Sequence, residues 1–458
     1  MEFKGDERES LLHAMRLIAE HPWSSDQPFP AYGLISSNGV GNAPLFTWII
    51  AALWAPTRDP LWVTGLIALI NVATLYPFWR WARRRLDAFR GLIALAIVAV
   101  SPFFVLYSRK IWAPDLMLTG LLAILWGIEW WREGRPWRAL SLLLLAVLVI
   151  GQLHQSGPIA LALLSIAIVL QVLLDRRSGQ PPIRWPRPDR FEAAAIAIVV
   201  ALNVFFWWPY LRYFFTIPPE VFDRRQTIAA ISPELVRKIT LQMVPTDLFY
   251  FFDPHRFQFL DGDWRRWSYT AAVYAGSPLV IYGTWRWLRR PWSLPVLGMW
   301  WLMVIAVFAL TRILTQPYYA LILAPVTALL PAGAFDSPTQ APWLTRALGA
   351  IRIAYVLALL VLSATTLSWL SDRGGAAGEY GIAYRTRVLQ ARMLASGVGR
   401  VTTPDPELKC AAVPVEVAWL ADWLSPARRN DDAVLLCEDW ILESDQLRHR
   451  WQFAVAPK

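Results

Sequence analysis

Two groups of charged side chains interrupt an otherwise apolar chain and have the residue types that group transfer needs. Asp6 and Glu7 open an amphipathic stretch near the N-terminus, and a carboxylate can accept the proton of an attacking hydroxyl. Arg109 and Lys110 precede Asp115 in the sequence SRKIWAPD. Two adjacent cations are suited to binding an anionic group such as a phosphate. These five residues are candidates for catalysis and for anion binding.

Two further polar groups stand beside breaks in apolar runs. His154 and Gln155 occur in GQLHQSGP, where a Gly-Pro pair ends the preceding run. Tyr318 and Tyr319 occur in LTQPYYALILAP, at the expected start of a helix. Polar clusters beside helix breaks are one way in which membrane proteins build binding sites. All four residues are therefore candidates for substrate or phosphate binding.

Each candidate also has a purely structural interpretation. Acids favour helix N-termini, which would account for Asp6 and Glu7, and Asp115 would cap the helix that follows Pro114. Arg109 and Lys110 would extend to the membrane interface, His154 would be a solvated turn residue, and the tyrosines would be interfacial anchors. Loop residues Asp247, Asp253, His255, Asp261 and Asp263 match no metal-ligand spacing. The sequence thus predicts no metal site and leaves the use of a divalent cation open.

The composition determines the kind of element that must hold these residues. Of 458 residues, 56% are hydrophobic and 17% are charged, against about 45–50% and about 25% in soluble domains. Such a chain is a polytopic membrane protein, which excludes a soluble enzyme, a secreted disulfide scaffold and a disordered chain. The net charge of +10 comes from arginines that cluster between apolar runs. This is the pattern of cytoplasmic loops and excludes nucleic-acid binding.

Apolar runs near the length needed to cross a bilayer, about 20 residues, predict about ten transmembrane helices near 61–79, 91–107, 115–131, 139–152, 157–174, 191–211, 269–287, 294–311, 318–334 and 351–370. Arginine-rich loops alternate with the others and are predicted to be cytoplasmic, at 80–90, 132–138, 175–190, 286–293 and 335–352. The remaining connections then face outward, including 108–114, 153–156 and 312–317. The candidate residues would all lie on that outward side.

We predict an all-α polytopic membrane protein with a small outward α/β domain at its C-terminus. The predicted parts are an outward N-terminal segment with interfacial helices (1–60), a transmembrane core that includes outward loop 212–268 (61–371), and an extracytoplasmic α/β domain (372–458). The apolar run at 43–55 is better suited to an interfacial or re-entrant helix than to a span. Cys410 and Cys437 both fall in the outward domain, where they either pair or remain buried thiols.

Several motifs resemble, in order and sidedness, the protein O-mannosyltransferase-like superfamily, to which the lipid A aminoarabinose transferases belong. These are bacterial integral-membrane glycosyltransferases of the GT-C class. The matching motifs are Asp6-Glu7, Pro44 to Trp48, Ser101-Pro102, Ser108-Arg109 followed by Asp115, His154 to Gly157, Pro317 to Leu321, and GEYGIAYRTR at 378–387.

The chain departs from the family at three points. The family's first transmembrane helix has no counterpart, so we expect a helix to be missing before residue 1. Asn42 stands where some members carry an acidic metal ligand, and His154 to Ser156 replace a lysine-bearing turn. At these positions the resemblance does not imply a metal site, nor aminoarabinose as the transferred sugar.

The resemblance implies a sugar donor linked to polyprenyl phosphate, and an acceptor hydroxyl on a glycolipid, a cell-surface glycan or a protein. Transfer would invert the anomeric carbon at the outer face of a bacterial plasma membrane. By resemblance Asp6 would be the base and Glu7 would orient it. Asp115 would position the acceptor or a basic partner. Arg109, with Lys110 and His154, would stabilise the departing phosphate.

Two other functional classes remain open from the sequence. A transporter or flippase for a lipid-linked anion would predict internal repeats and a site at mid-membrane, whereas we find no repeat and the candidates lie at one face. A non-catalytic membrane scaffold would leave the one-sided acids, arginine and histidine without a role. The sugar, the acceptor and the linkage depend on pocket residues that one sequence does not identify.

Overall fold

The structure is a computed structural model. It describes residues 5–19, 33–34, 41–154, 156–178, 185–217, 244–246, 248, 252, 259–289, 295–310, 323–336, 341–373, 375–376, 382–396, 400–401, 409–414, 417–418, 420–421, 434–443 and 446–455. Its contacts divide the chain into two units. The first comprises Met1–Glu9, Leu248–Thr270 and Leu360–Lys458, and the second comprises Ser10–Asp247 and Ala271–Leu359. The predicted division at residues 60 and 371 remains a prediction.

Helices account for most of the described chain. They are α1 (Gly5–Ala19), α2 (Leu45–Trp54), α3 (Pro60–Arg85), α4 (Ala88–Val100), α5 (Pro102–Tyr107), α6 (Met117–Arg132), α7 (Pro136–Leu153), α8 (Ser156–Arg177), α9 (Arg190–Phe214), α10 (Asp263–Arg289), α11 (Pro295–Leu310), α12 (Ala324–Ala332), α13 (Pro342–Arg373) and α14 (Tyr384–Ser396). A 3-10 turn at Ala113–Leu116 leads directly into α6.

Six of the described helices are long and apolar enough to cross a membrane: Pro60–Arg85, Ala113–Arg132, Pro136–Leu153, Ser156–Arg177, Arg190–Phe214 and Pro342–Arg373. Shorter apolar helices lie at Leu45–Trp54, Ala88–Val100 and Val296–Val307. The prediction of a multi-pass, mainly helical membrane protein is therefore confirmed. The predicted short helix at 43–55 is α2, which at 10 residues is about 15 Å long.

The predicted span 91–107 is wrong as a single helix. Helix α4 ends at Val100, Ser101 is extended, and α5 begins at Pro102. Proline has no N–H to donate to the preceding turn and disfavours helical geometry in the residue before it. The break shortens α5 to six residues and starts a new direction of the chain just before Arg109.

The arginine-rich ends of several helices meet at one end of the second unit. Arg84 at the end of α3 pairs with Glu133 after α6, at 3.0 Å. Arg138 in α7 pairs with Glu192 in α9, also at 3.0 Å. The capping box that starts α9 holds Glu192, whose side chain accepts from the backbone N–H of Asp189. The arginines that indicate the cytoplasmic side in the sequence therefore also form ion pairs between neighbouring helices.

Arg352 was expected in a cytoplasmic loop at 335–352, and this expectation is wrong. The residue lies inside α13, where its side chain is 2% exposed. Its Nη1 lies 2.9 Å from Asp336 Oδ2, and its Nε donates to the carbonyl oxygen of Pro331 at 3.0 Å. Arg90 also approaches Asp336, at 3.4 Å. A guanidinium with several donors can be buried when carboxylate and carbonyl oxygens satisfy them.

The amphipathic N-terminal stretch forms α1 as expected, and one face of the helix is buried. Glu7, Ser10, Leu11, Ala14 and Leu17 are buried. The stripe follows the i, i+3, i+4 spacing of one helix face. The apolar residue Ile18 lies off this face and is 36% exposed.

The first unit contains the C-terminal sheet. Its strands are β1 (Arg400–Val401), β2 (Lys409–Ala412), β3 (Val434–Glu443) and β4 (Gln446–Val455), in the order β1-β4-β3-β2. Strands β2, β3 and β4 pair antiparallel, and β1 pairs parallel to β4. With α14 before it, the sheet confirms a small α/β region at the C-terminus. Its position outside the membrane stays a prediction.

The strand register places Cys410 directly opposite Cys437. Opposite residues in antiparallel strands have Cα atoms about 4.5–5.5 Å apart, within the range of about 4.4–6.8 Å that disulfides span. We therefore expect the two cysteines to form a disulfide if this region lies in an oxidising compartment. Peptide mass mapping after alkylation, with and without reductant, measures this. Alkylation of both thiols without reductant would contradict the pairing.

Candidate functional site

The segment between α5 and α6 carries Arg109 and Asp115, which line the same cavity. Helix α5 ends at Tyr107, and the chain turns through Ser108 to Trp112. Pro114 then stands at the start of the 3-10 turn, and the backbone N–H of Asp115 donates to the carbonyl oxygen of Trp112 at 3.1 Å. The connection between α5 and α6 is thus short and folded. One proline starts α5, and another stands at the start of the 3-10 turn.

This connection forms one wall of a cavity of about 200 Å³, which we call the Arg109 cavity. Its polar lining consists of Arg109, Asp115, Ser108, Tyr107 and Asn71. Its volume is roughly that of six or seven water molecules in the liquid. The cavity is therefore large enough for a small anionic group.

The other walls of the Arg109 cavity are apolar. They are formed by α3, α4, α5 and α6 through Val72, Leu75, Val98, Ala99, Phe104, Val105, Pro114, Met117 and Leu118. A charged end beside an apolar surface is the arrangement that suits an amphiphile. A ligand with a phosphate and a hydrocarbon chain has this character.

Arg109 supplies the positive charge of the cavity. Its side chain is half-buried, and we find no ion pair or hydrogen bond of its guanidinium within the described part of the chain. A guanidinium presents five N–H donors and binds phosphate oxygens in pairs. Arg109 is thus available to an anion that enters the cavity.

Lys110 lies beside the cavity and does not line it. Its side chain is only 3% exposed, and its Nζ lies 5.3 Å from the ring centroid of Tyr107 and 5.9 Å from that of Trp112. The two rings stack on each other with centroids 5.6 Å apart. A buried ammonium over aromatic faces stabilises the fold of the connection. In this structure Lys110 holds the turn that presents Arg109.

His154 follows the last residue of α7 and makes its own local network. Its Nδ1 accepts from the backbone N–H of Ser156 at 3.1 Å and lies 2.7 Å from the Ser156 hydroxyl. Burial lowers the pKa of the His154 imidazole to about 4. An acceptor Nδ1 places the proton of the neutral ring on Nε2. His154 would therefore act near neutral pH as a hydrogen-bond donor and not as a cation.

None of the other predicted site residues is among the described residues that line the Arg109 cavity. Glu7 is buried in α1, with 2% of its surface exposed. Asp6 belongs to the same helix, and the description does not extend to its side chain. Gln155, Tyr318 and Tyr319 lie outside the described residues, as do Asp247, Asp253 and His255 of the loop considered for metal binding. The roles of all these residues stay predictions.

Asn71 is a cavity residue that the sequence analysis missed. It lies in the middle of α3, is 7% exposed, and its Nδ2 has no hydrogen-bond partner among the described atoms. An unpaired amide in the interior of a membrane helix is costly unless a ligand satisfies it. A single carboxamide in the apolar run LIALINVATL was the available signal.

Comparison with known proteins supports the fold at low sequence identity. No profile of a known protein family matches the sequence, and neither does any curated protein. Among solved structures, ArnT from Cupriavidus metallidurans bound to undecaprenyl phosphate shares 13% identity, over 92% of this chain and 84% of ArnT, with a TM-score of 0.50. Its apo form shares 11% identity, over 92% and 81%, with a TM-score of 0.52.

A weaker likeness is to the oligosaccharyltransferase AglB from Archaeoglobus fulgidus in complex with an inhibitory peptide and a dolichol-phosphate. It shares 16% identity over 88% of this chain and 55% of AglB, with a TM-score of 0.41. ArnT, a lipid A aminoarabinose transferase, is a GT-C glycosyltransferase. The likeness shows that this chain has the fold of ArnT, a member of the family that the sequence motifs resemble.

Proposed function

We propose that this protein is a membrane glycosyltransferase that moves a sugar from a polyprenyl-phosphate donor to an acceptor hydroxyl, with inversion at the anomeric carbon. The fold of ArnT, which has been solved with undecaprenyl phosphate, supports this class, although a fold alone does not define an activity. The acceptor is a glycolipid, a cell-surface glycan or a protein.

The observation that carries the proposal is the chemistry of the Arg109 cavity. Arg109 faces a space with apolar walls and has no ion pair among the described side chains. A polyprenyl-phosphate donor matches both parts of this cavity, since its phosphate is anionic and its tail is hydrocarbon. Asn71 would donate its unpaired N–H to a phosphate or sugar oxygen. This hydrogen bond would offset the free-energy cost of burying the unpaired amide.

The reaction needs one bond to form and one to break. The acceptor oxygen attacks the anomeric carbon, and the bond from that carbon to the phosphate oxygen breaks, so that the electron pair leaves with the polyprenyl phosphate. The acceptor proton passes to a carboxylate, for which Asp6 is our candidate, oriented by Glu7. Arg109 offsets the charge that develops on the departing phosphate, and Asp115 positions the acceptor or Arg109 itself.

The proposal includes a direction of the chain in the membrane. Arginines occupy the last turns of α3, α6 and α8, and arginine-rich ends are expected on the cytoplasmic side. The Arg109 cavity lies at the other end of α6, and the helix with its 3-10 turn covers 20 residues, or about 30 Å. The site and the C-terminal region would then face outward from a bacterial plasma membrane.

Transfer in proteoliposomes tests the function. We expect purified protein to move a radiolabelled sugar from polyprenyl-phosphate donors to components of a membrane extract, with release of polyprenyl phosphate. Asp6→Asn should lower this rate by about 100- to 10,000-fold, because a positioned base contributes that much. The measurement is the label left in the donor lipid over time.

Glu9→Gln is the matched control, since Glu9 lies in the same helix and pairs with Arg8. It should keep the rate of the unmodified protein. Wild-type transfer by Asp6→Asn would show that another group is the base. Movement of the intact labelled donor across the bilayer, with no bond broken, would instead identify a flippase.

A further inference from the structure

A second and larger cavity lies at the arginine-rich end of the second unit, away from the Arg109 cavity. Its volume is about 580 Å³, which is within the range of about 300–1,000 Å³ typical of ligand pockets. It is bounded by the last turns of α3, α6 and α8, by α7 and by the start of α11. We call it the arginine-end cavity. Its described lining contains none of the candidate catalytic residues.

The inner wall of this cavity is apolar, and its rim is charged. Leu125, Ile128, Ile168 and Val172 are among the apolar residues. The charged residues come from the ends of the helices, where a bilayer changes from hydrocarbon to headgroups. An amphiphile with an acyl chain inward and a polar headgroup at the rim matches this distribution.

Four charged side chains are among the described residues that line the cavity, namely Arg85, Glu129, Arg132 and Asp175. Arg85 and Glu129 form an ion pair. Arg132 on α6 and Asp175 on α8 also line the cavity, and neither has an ion pair among the residues that the structure describes. Asp175 accepts a hydrogen bond from Gln171 Nε2 at 2.6 Å, which orients its carboxylate. Among its described lining residues, the cavity therefore offers one cation and one anion without an ion pair, on separate helices.

This charge pattern selects among headgroups. A phosphate would bind Arg132, and a cationic group on the same molecule would bind Asp175. An anionic headgroup would satisfy Arg132 but be repelled by Asp175. A primary ammonium has three N–H donors for the carboxylate, whereas a quaternary ammonium has none. The match is a headgroup that carries a phosphate and a primary ammonium.

We propose that the arginine-end cavity binds a phospholipid with a phosphoethanolamine headgroup, with its phosphate on Arg132 and its ammonium on Asp175. The acyl chain lies along the apolar wall. The site is separate from the proposed donor site, so the proposal does not depend on the transferase activity. A bound lipid would join α6 to α8 across a space that the protein leaves unfilled.

Native mass spectrometry of the full chain tests this binding. The protein is reconstituted in nanodiscs with equal fractions of phosphatidylethanolamine, phosphatidylglycerol and phosphatidylcholine, and the lipids retained after ejection are counted. We expect one retained phosphatidylethanolamine, favoured by about tenfold over the others, because each charge-assisted hydrogen bond contributes a factor of that order.

The variants have distinct expected signatures. Arg132→Gln should lower retention of both phosphatidylethanolamine and phosphatidylglycerol, since the phosphate contact is lost. Asp175→Asn should abolish the preference for phosphatidylethanolamine over phosphatidylglycerol while a lipid is still retained. Arg176→Gln is the control, because Arg176 is exposed on α8 and does not line the cavity. It should behave as the unmodified protein.

Three results would overturn the proposal. They are equal retention of the three lipids by the unmodified protein, no retained lipid at all, and an Asp175→Asn variant with an unchanged preference. Both cavity substitutions replace exposed residues at helix ends, so folding should be kept. Circular dichroism and melting temperature verify this for each variant.

Discussion

Replacement of Arg109 by glutamine is expected to lower the rate of sugar transfer by about 100- to 1,000-fold. Loss of one preorganised donor at a site of developing charge has an effect of this size. Glutamine keeps a polar side chain but has no charge to offset the negative charge of the leaving phosphate. The measurement is single-turnover transfer from a polyprenyl-phosphate donor in proteoliposomes, with donor in excess over its dissociation constant.

Arg109→Lys should recover part of the rate and not all of it. Lysine restores the charge as a point, but it does not restore the paired donors of a guanidinium. A graded order of arginine, lysine and glutamine would therefore indicate direct contact with the phosphate. Equal rates for Lys and Gln would indicate that the geometry of the guanidinium, and not its charge, is what matters.

Arg58→Gln is the matched control for this series. Arg58 precedes α3 at the same end of the bundle as the Arg109 cavity, is exposed and does not line the cavity. Its loss changes the local charge by the same amount, so any general electrostatic effect on an anionic lipid appears in both variants. Full activity of Arg109→Gln would remove this residue from the mechanism.

The helical part of the fold was predictable because the bilayer imposes a simple length rule. The predicted spans 61–79 and 191–211 lie within α3 and α9. The rule failed where a local feature overrode it. Pro102 divides the run at 91–107 into two helices. The Ser101-Pro102 pair is also one of the motifs that resemble the family. The charge of Arg352 favoured a position in a loop. The residue is instead buried in α13, where Asp336 pairs with its guanidinium.

The site was predictable only in part, since sequence spacing does not give side-chain direction. Arg109 and Asp115 were chosen from their place in SRKIWAPD, and both line the same cavity. The adjacent Lys110 has the same charge, but it points to the Tyr107 and Trp112 rings instead. Asn71 lies about 40 residues away in the chain and reaches the cavity through helix packing, which no local pattern records.

The sequence also does not indicate whether His154 is a cation or a neutral hydrogen-bond donor. Histidine titrates near pH 6.5 in water, so its charge depends on its surroundings. Here burial lowers the pKa to about 4, and the backbone N–H of Ser156 occupies Nδ1. Both facts depend on how the chain turns between α7 and α8.

Replacement of Gly157 by alanine is expected to destabilise the protein by about 3 kcal/mol or more, as severe overpacking does. A methyl group on Gly157 would overlap the backbone carbonyl of Ile150 and lie 2.7 Å from its carbon atom. Neither group is a flexible side chain, so the turn between α7 and α8 must open. The Gly157 N–H, which donates to the carbonyl oxygen of His154 at 2.8 Å, would then move away.

The melting temperature in detergent and the yield of monodisperse protein measure this effect. Gly65→Ala is the control, because Gly65 also lies in a helix but nothing stands within 4 Å of an added methyl group. It should melt at the same temperature or slightly higher, since alanine favours a helix by up to about 1 kcal/mol over glycine. Equal melting of the two variants would mean that the turn at His154 is not closed as described. Because that turn also holds His154 and Ser156 in contact, Gly157→Ala should disturb their hydrogen bond even in the fraction that folds.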